Sequence, residues 1–149
     1  MRAVVQRVSE AKVEVENSVI GAIRRGLLIF IGIETNDTPK DIDYIVDKCV
    51  NLRIFDDRNG VMNVSALEAG MELLVVSQFT IMGDVRHGRR PSYIQAAPPD
   101  AAKIIFADTL LKFQETGLMV RTGRFAADMK VTLLNDGPVT ILLDSKKVF

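Results

Sequence analysis

The 149-residue chain has no tryptophan, a single cysteine (Cys49), a single histidine (His87) and a formal net charge of +0. Each scarcity excludes something. One cysteine makes no internal disulfide, and one cysteine with one histidine builds no Cys/His zinc site. Any Ser-His-Asp triad would have to run through His87, the only imidazole present. The balanced charge argues against broad, charge-driven binding of long nucleic acid, though not against a local basic patch. The opening segment, Met1–Val8, lacks the apolar stretch of a secretory signal. The most apolar run, Leu27–Ile33, is far too short to span a bilayer. A soluble cytoplasmic protein is expected. Carboxylates are scattered, with no spacing that reads as a metal site, and no phosphate-binding or dinucleotide fingerprint is present. Nothing calls for a metal or another cofactor.

What is present is enough to fold. Hydrophobic residues make up 48% and charged residues 26% of the chain, which points to a core and one compact domain over 1–149. Ala3–Val8 begins a strand. Lys12–Glu16 alternates charge with valine, and Val19–Ile23 supplies its hairpin partner. Leu27–Ile33 is apolar enough to be a strand covered on both faces, and Leu73–Phe79 is another apolar run that reads as a central strand. Thr38-Pro39 opens a helix whose apolar face is Ile42, Ile45, Val46 and Cys49. A short strand at Ile54-Phe55 ends in the Asp57–Gly60 turn. A second helix over Asp100–Glu115 carries Ile105, Phe106, Leu110 and Phe113 on one stripe, with Gly117 as its stop. Two last strand-like runs, Val131–Leu134 and Val139–Leu143, flank Asn135-Asp136-Gly137-Pro138. Several strands with two helices give an α+β fold.

Three segments can carry chemistry. Ser77-Gln78-Phe79-Thr80 stands where an apolar strand leaves the core, a place where backbone N–H groups become free on a rigid support. It is either a site or a strand that simply ends in polar residues. Asn135–Thr140 is either a tight turn between strands or something more, and the sequence leaves Gly137-Pro138 open as cis or trans. Met82–Pro99 is a long loop holding Arg86, His87, Arg89 and Arg90. Guanidinium forks suit phosphate oxygens, so a local grip on an RNA backbone competes with plain solvated surface. Cys49 reads as a structural core thiol. His87 reads as a surface or RNA-contacting imidazole, with a direct catalytic role as the alternative.

Ser77–Thr80, Arg89-Arg90-Pro91-Ser92, Thr122–Met129, Asn135–Thr140 and the opening Val5-Gln6-Arg7-Val8, taken in order over essentially the whole chain, resemble the D-aminoacyl-tRNA deacylases, also called D-tyrosyl-tRNA deacylases. The resemblance implies a single domain with a mixed, curved, barrel-like sheet and two main helices. It implies hydrolysis of the ester between a D-amino acid and the terminal adenosine of tRNA, by a homodimer with its sites at the subunit interface. There a cis Gly137-Pro138, held by Arg7, enters the partner's site and faces Ser77, Gln78, Phe79 and Thr80.

Physical arguments extend that expectation. L and D esters share every functional group, so a pocket separates them by where it allows the side chain to point. Glycine has no side chain to exclude, so glycyl-tRNA should be hydrolysed too. Backbone N–H groups near Phe79 and Thr80 suit an oxyanion. Thr80 has no evident base, which favours water attack assisted by the RNA's own 2′-hydroxyl over a Thr80 acyl-enzyme. Phe79 is either a base-stacking ring or a core residue. Arg86, His87, Arg89 and Arg90 are candidate tRNA contacts. The competing readings are a non-catalytic RNA-binding module, a small-molecule esterase and a purely structural dimer module.

Overall fold

In the computed structural model, which describes residues 1–149, the organising element is β1 (Arg2–Val15). The sequence suggests two separate runs here, but they form one strand that changes face midway. Ala3 and Val5 enter one core cluster, whereas Val8, Ala11 and Val13 enter a second on the other side of the sheet. The switch falls at the exposed Ser9 and Glu10. A register shift there turns the strand over, since one extra residue inverts which face each side chain takes.

β2 (Ser18–Ile23) returns along β1 through a turn in which both Glu16 and Asn17 have left-handed φ, 52° and 63°. That is the backbone a tight hairpin requires. β3 (Gly26–Gly32) runs antiparallel to β1, β6 (Glu72–Ser77) parallel to β3, and β7 (Val120–Thr122) parallel to β6. β8 (Lys130–Asp144) lies antiparallel along the free edge of β1. The mixed sheet curls until β2 meets β6 and β7. A Cβ added at Gly21 would sit 2.7 Å from the Thr122 carbonyl, so glycine allows this closure. Leu27, Ile29 and Val75 face one cluster while Leu28, Leu74 and Val76 face the other, which explains the unbroken apolar runs of β3 and β6.

Two helices cover the larger cluster. α1 (Pro39–Asn51) begins at Thr38, whose N–H and hydroxyl both donate to Asp41 Oδ2, at 2.8 and 2.7 Å. Its Ile42, Ile45, Val46 and Cys49 are buried, as the three- and four-residue spacing predicts. α2 (Pro99–Gln114) packs beside α1 and buries Phe106, Thr109 and Phe113, while Ile105 and Leu110 are only half covered. A two-stranded ribbon, β4 (Phe55–Asp56) with β5 (Met62–Val64), stands apart from the main sheet.

The C-terminal segment corrects the expectation of two strands around a turn. Residues on both sides of Gly137-Pro138 pair with β1 in the same direction: Thr140 with Gln6 and Asn135 with Val8. The chain therefore does not reverse. Four residues, Asp136–Val139, stand opposite Arg7 alone and are extruded as a wide bulge within one strand.

Candidate functional site

The buried run Leu73–Val76 of β6 carries Ser77 out of the core. The ladder ends where the Gln78 N–H donates to the Ile31 carbonyl at 2.8 Å. The chain then tightens into a 3₁₀ turn, Phe79–Met82, anchored by the buried Met82. Phe79 and Thr80 open this turn, so their N–H groups have no acceptor within it. The Gln78 side-chain amide donates to the Thr80 hydroxyl. That bond fixes the Thr80 side chain and leaves its proton free to donate, but no basic side chain bonds to the hydroxyl.

Phe79 is 58% exposed, which settles the choice between a core ring and a surface ring. It meets Tyr93 edge to face, with centroids 5.1 Å apart. Both rings border a groove of about 670 Å³ that also takes in Ser77, Gln78, Ala96–Pro99 and Phe125–Met129. The sequence does not single out Tyr93 or the Ala96–Pro99 stretch as site residues, and it marks Phe125–Met129 only as part of a family-like segment. The available signal is a strand-end motif followed by small and proline residues that cannot fill the space beside it.

The bulge in β8 forms a second locus. Its Gly137–Pro138 bond is cis, and both residues are exposed. Gly137 has φ 131°, and a Cβ there would lie 2.7 Å from a Val139 methyl and 3.1 Å from Arg7 Nη2. Glycine is required on both counts. Arg7 is 6% exposed. Its Nε donates to the Asp136 carbonyl at 3.0 Å, and its Nη1 donates to the Ile54 carbonyl at 2.7 Å. Asp56 and Asp136 place half-exposed carboxylates within 3.4 and 3.6 Å of the same guanidinium.

Within one chain these loci are far apart. Arg7 pairs with Leu27 and Leu27 with Leu73, so the bulge lies level with the start of β6. Ser77 is four residues further along and β8 is three strands away, roughly 13 and 14 Å along the curved surface of the sheet. The fold gathers Ser77, Gln78, Phe79 and Thr80 in one place and Arg7, Gly137 and Pro138 in another, and does not bring the two groups together.

The basic loop beside the groove is closed by reciprocal backbone bonds between Asp84 and Ser92, at 2.8 and 2.9 Å. Arg86 is committed inside it: Nε and Nη2 donate to the Asp84 carboxylate at 2.9 and 2.6 Å. Those bonds hold the Asp84 carboxyl well below the usual carboxylate range. His87, Arg89 and Arg90 are exposed, and neither Arg89 nor Arg90 has an ion-pair partner. Cys49 is fully buried, and burial pushes its thiol up, so it takes no part in a nucleophilic reaction.

Residues 4–144 match the family model described as D-Tyr-tRNA(Tyr) deacylase. A D-aminoacyl-tRNA deacylase of Thermosipho africanus (strain TCF52B) is 56% identical over 149 residues, covering 100% of both chains. One from Clostridioides difficile (strain 630) is 54% identical, again over the full length of both. A solved structure described as c-Myc DNA Unwinding Element Binding Protein superposes with a TM-score of 0.92 at 39% identity, covering 97% of this chain and 98% of that one.

Proposed function

This chain belongs to the D-Tyr-tRNA(Tyr) deacylase family and is a hydrolase acting on aminoacyl-tRNA, and on that premise we propose that its groove takes the 3′-terminal adenosine while the bulge of a second subunit selects the D configuration. One observation carries the second half of this reading. The exposed Gly137-Pro138 apex and the Ser77–Thr80 strand end lie three strands and four residues of register apart in one chain, so in this reading they meet on one substrate across a dimer interface.

The chemistry follows from what the strand end offers. Phe79 presents an exposed ring on which the terminal adenine stacks. The N–H groups of Phe79 and Thr80 receive the negative charge that develops on the ester oxygen. Thr80 is tied to Gln78 and has no base to activate it, so it positions rather than attacks. Water attacks, oriented by the ribose 2′-hydroxyl beside the ester, which draws on the high effective concentration of a neighbouring group. Ser77 completes the wall. From the partner, the backbone carbonyls of the Gly137-Pro138 apex engage the α-ammonium and occupy the space an L side chain needs. Glycyl-tRNA passes the same filter. Arg89 and Arg90 grip phosphates next to the acceptor end, with His87 beside them. Arg86 contributes less, because Asp84 already neutralises it. The reaction belongs in the cytoplasm, where aminoacyl-tRNA is made and used.

The test is deacylation of matched D-, L- and glycyl-tRNA, with a subunit-mixing arm. D and glycyl esters should be cleaved and L esters spared. A Gly137 variant and a Phe79 variant, each impaired alone, should recover up to about a quarter of wild-type activity when mixed, since half the dimers are mixed and each has one intact site. Intact glycyl-tRNA would sink the steric account. No recovery on mixing, with exchange of subunits verified, would sink the shared site.

A further inference from the structure

Asn135 closes the neck of the β8 bulge. Its Oδ1 accepts from the Val139 N–H at 3.0 Å, and its Nδ2 donates to Thr140 Oγ1 at 3.1 Å. The same Thr140 oxygen accepts from Gln6 Nε2 on β1 at 3.2 Å. One half-buried side chain thus joins the residue before the bulge to the two that end it, and Thr140 passes the tie on to β1. Arg7 restrains the other limb through the Asp136 carbonyl. Between the limbs, Gly137 and Pro138 have no polar side chain of their own to fix them. Where the apex stands is therefore set by Arg7 on one side and Asn135 on the other.

We propose that Asn135 is a positioning residue for stereochemical selection: by tying Val139 and Thr140 together it fixes the height and tilt of the Gly137-Pro138 apex. This rests on the reading that the apex does the discriminating. A steric filter is sensitive to small displacements, because D and L esters differ only in the direction of one bond. A loosened apex gives way to the L side chain and also holds the α-ammonium less well. The groove residues are on a different element and keep their geometry. Glycyl-tRNA, which has no side chain to exclude but carries the same α-ammonium, should fall in step with the D ester while the L ester gains.

The experiment measures kcat/KM for D-, L- and glycyl-tRNA in Asn135→Leu, Asn135→Asp and Thr140→Val, with Gly137→Ala as the reference. Thermal melting confirms that each variant is folded. Asn135→Leu removes both bonds and should lower the D-to-L ratio about fivefold, the equilibrium factor of one ordinary hydrogen bond. Asn135→Asp should stay within a few-fold of wild type. Its carboxylate still accepts from Val139, and the Thr140 hydroxyl can turn to donate to it while accepting from Gln6. A structural defect alone would lower all three substrates together and would not be rescued by Asp. If Asn135→Leu does not fold, Thr140→Val carries the test, and an unchanged ratio there overturns the proposal. A ratio lowered by Gly137→Ala but untouched by Asn135→Leu overturns the role of Asn135 alone. A ratio that neither variant moves overturns the underlying reading, and this proposal with it.

Discussion

Replacing Arg7 with methionine keeps an unbranched apolar stem and removes the guanidinium. Arg7 is 6% exposed, and its two short bonds go to the carbonyls of Ile54 and Asp136, at 2.7 and 3.0 Å. Hydrogen bonds from a charged donor contribute about 1.5–3 kcal/mol each. The Asp56 and Asp136 carboxylates are 43% and 39% exposed, so water compensates them and they add at most about 1 kcal/mol together. Methionine recovers part of the packing but leaves two carbonyls short of a donor. The net loss comes to about 3–5 kcal/mol, or roughly 10 °C in Tm for a chain of this length. Thermal melting followed by circular dichroism gives the first readout. The second is the D-to-L ratio of kcat/KM, which should fall because the Asp136 limb of the bulge is released. Arg7→Lys should recover little, since a point charge cannot reach Ile54 and Asp136 at once. A Tm within about 2 °C of wild type, with an unchanged ratio, would refute the claim that Arg7 links the bulge to the core.

Three further outcomes follow from the same geometry. Arg89→Ala with Arg90→Ala should leave Tm unchanged, raise KM for aminoacyl-tRNA and reduce the log–log salt slope by roughly 1 for each phosphate no longer neutralised; an unchanged slope would remove the loop from the RNA interface. Burial by itself raises the Asp41 carboxyl, but hydrogen bonds from Lys146, Ser145 and Thr38 outweigh it and hold the group well below the usual 3.8. A depressed folded-state pKa adds stability that is complete above the unfolded value and fades as pH falls below it. Asp41→Asn should therefore cost about 1–2 kcal/mol at pH 7, with the gap to wild type narrowing below about pH 4; a gap constant from pH 7 to pH 3 in chemical denaturation would contradict the assignment. Iodoacetamide should leave Cys49 unlabelled in the native protein and label it fully in denaturant, and labelling of the folded protein, read by mass, would contradict its burial.

Much of the fold is legible because its signals are local. The Thr38-Pro39 start of α1, the stripe from Ile42 to Cys49 and the two-faced apolar runs of β3 and β6 each declare themselves within a few residues. The misread places depend on partners far along the chain. Asn135–Pro138 has the composition of a tight turn, and only its pairing with Gln6 and Val8, more than 120 residues away, makes it a bulge. Ala3–Val8 and Lys12–Glu16 look like separate strands because the change of face at Ser9-Glu10 interrupts the alternation. The candidate site divides in the same way. Ser77–Thr80 stands out as polar residues closing an apolar run. Tyr93 and Ala96–Pro99 do not, since residues that border a groove by leaving space are chemically bland. Arg86 is the exception, since Asp84, which occupies it, stands only two residues before it and is open to a local reading.

The bulge also bears on how a protein so poor in catalytic side chains can be selective. In the proposed reading the discriminating group is backbone, so selectivity depends on where that backbone is held, to within about 0.5 Å. A hairpin tip is anchored from one side only and frays toward its end. A bulge inside a continuous strand has ladder on both sides: Glu10–Glu14 pair with Leu134–Lys130 before it, and Arg2–Gln6 pair with Asp144–Thr140 after it. Arg7 and Asn135 then fix its two limbs. Disturbing the apex requires breaking a side-chain tie or opening part of a sheet, and the first costs far less. Variants that alter selectivity without unfolding the chain should therefore concentrate at Arg7, Asn135, Thr140 and Gln6, while ladder positions such as Val5 and Ala11 should lose fold and activity together.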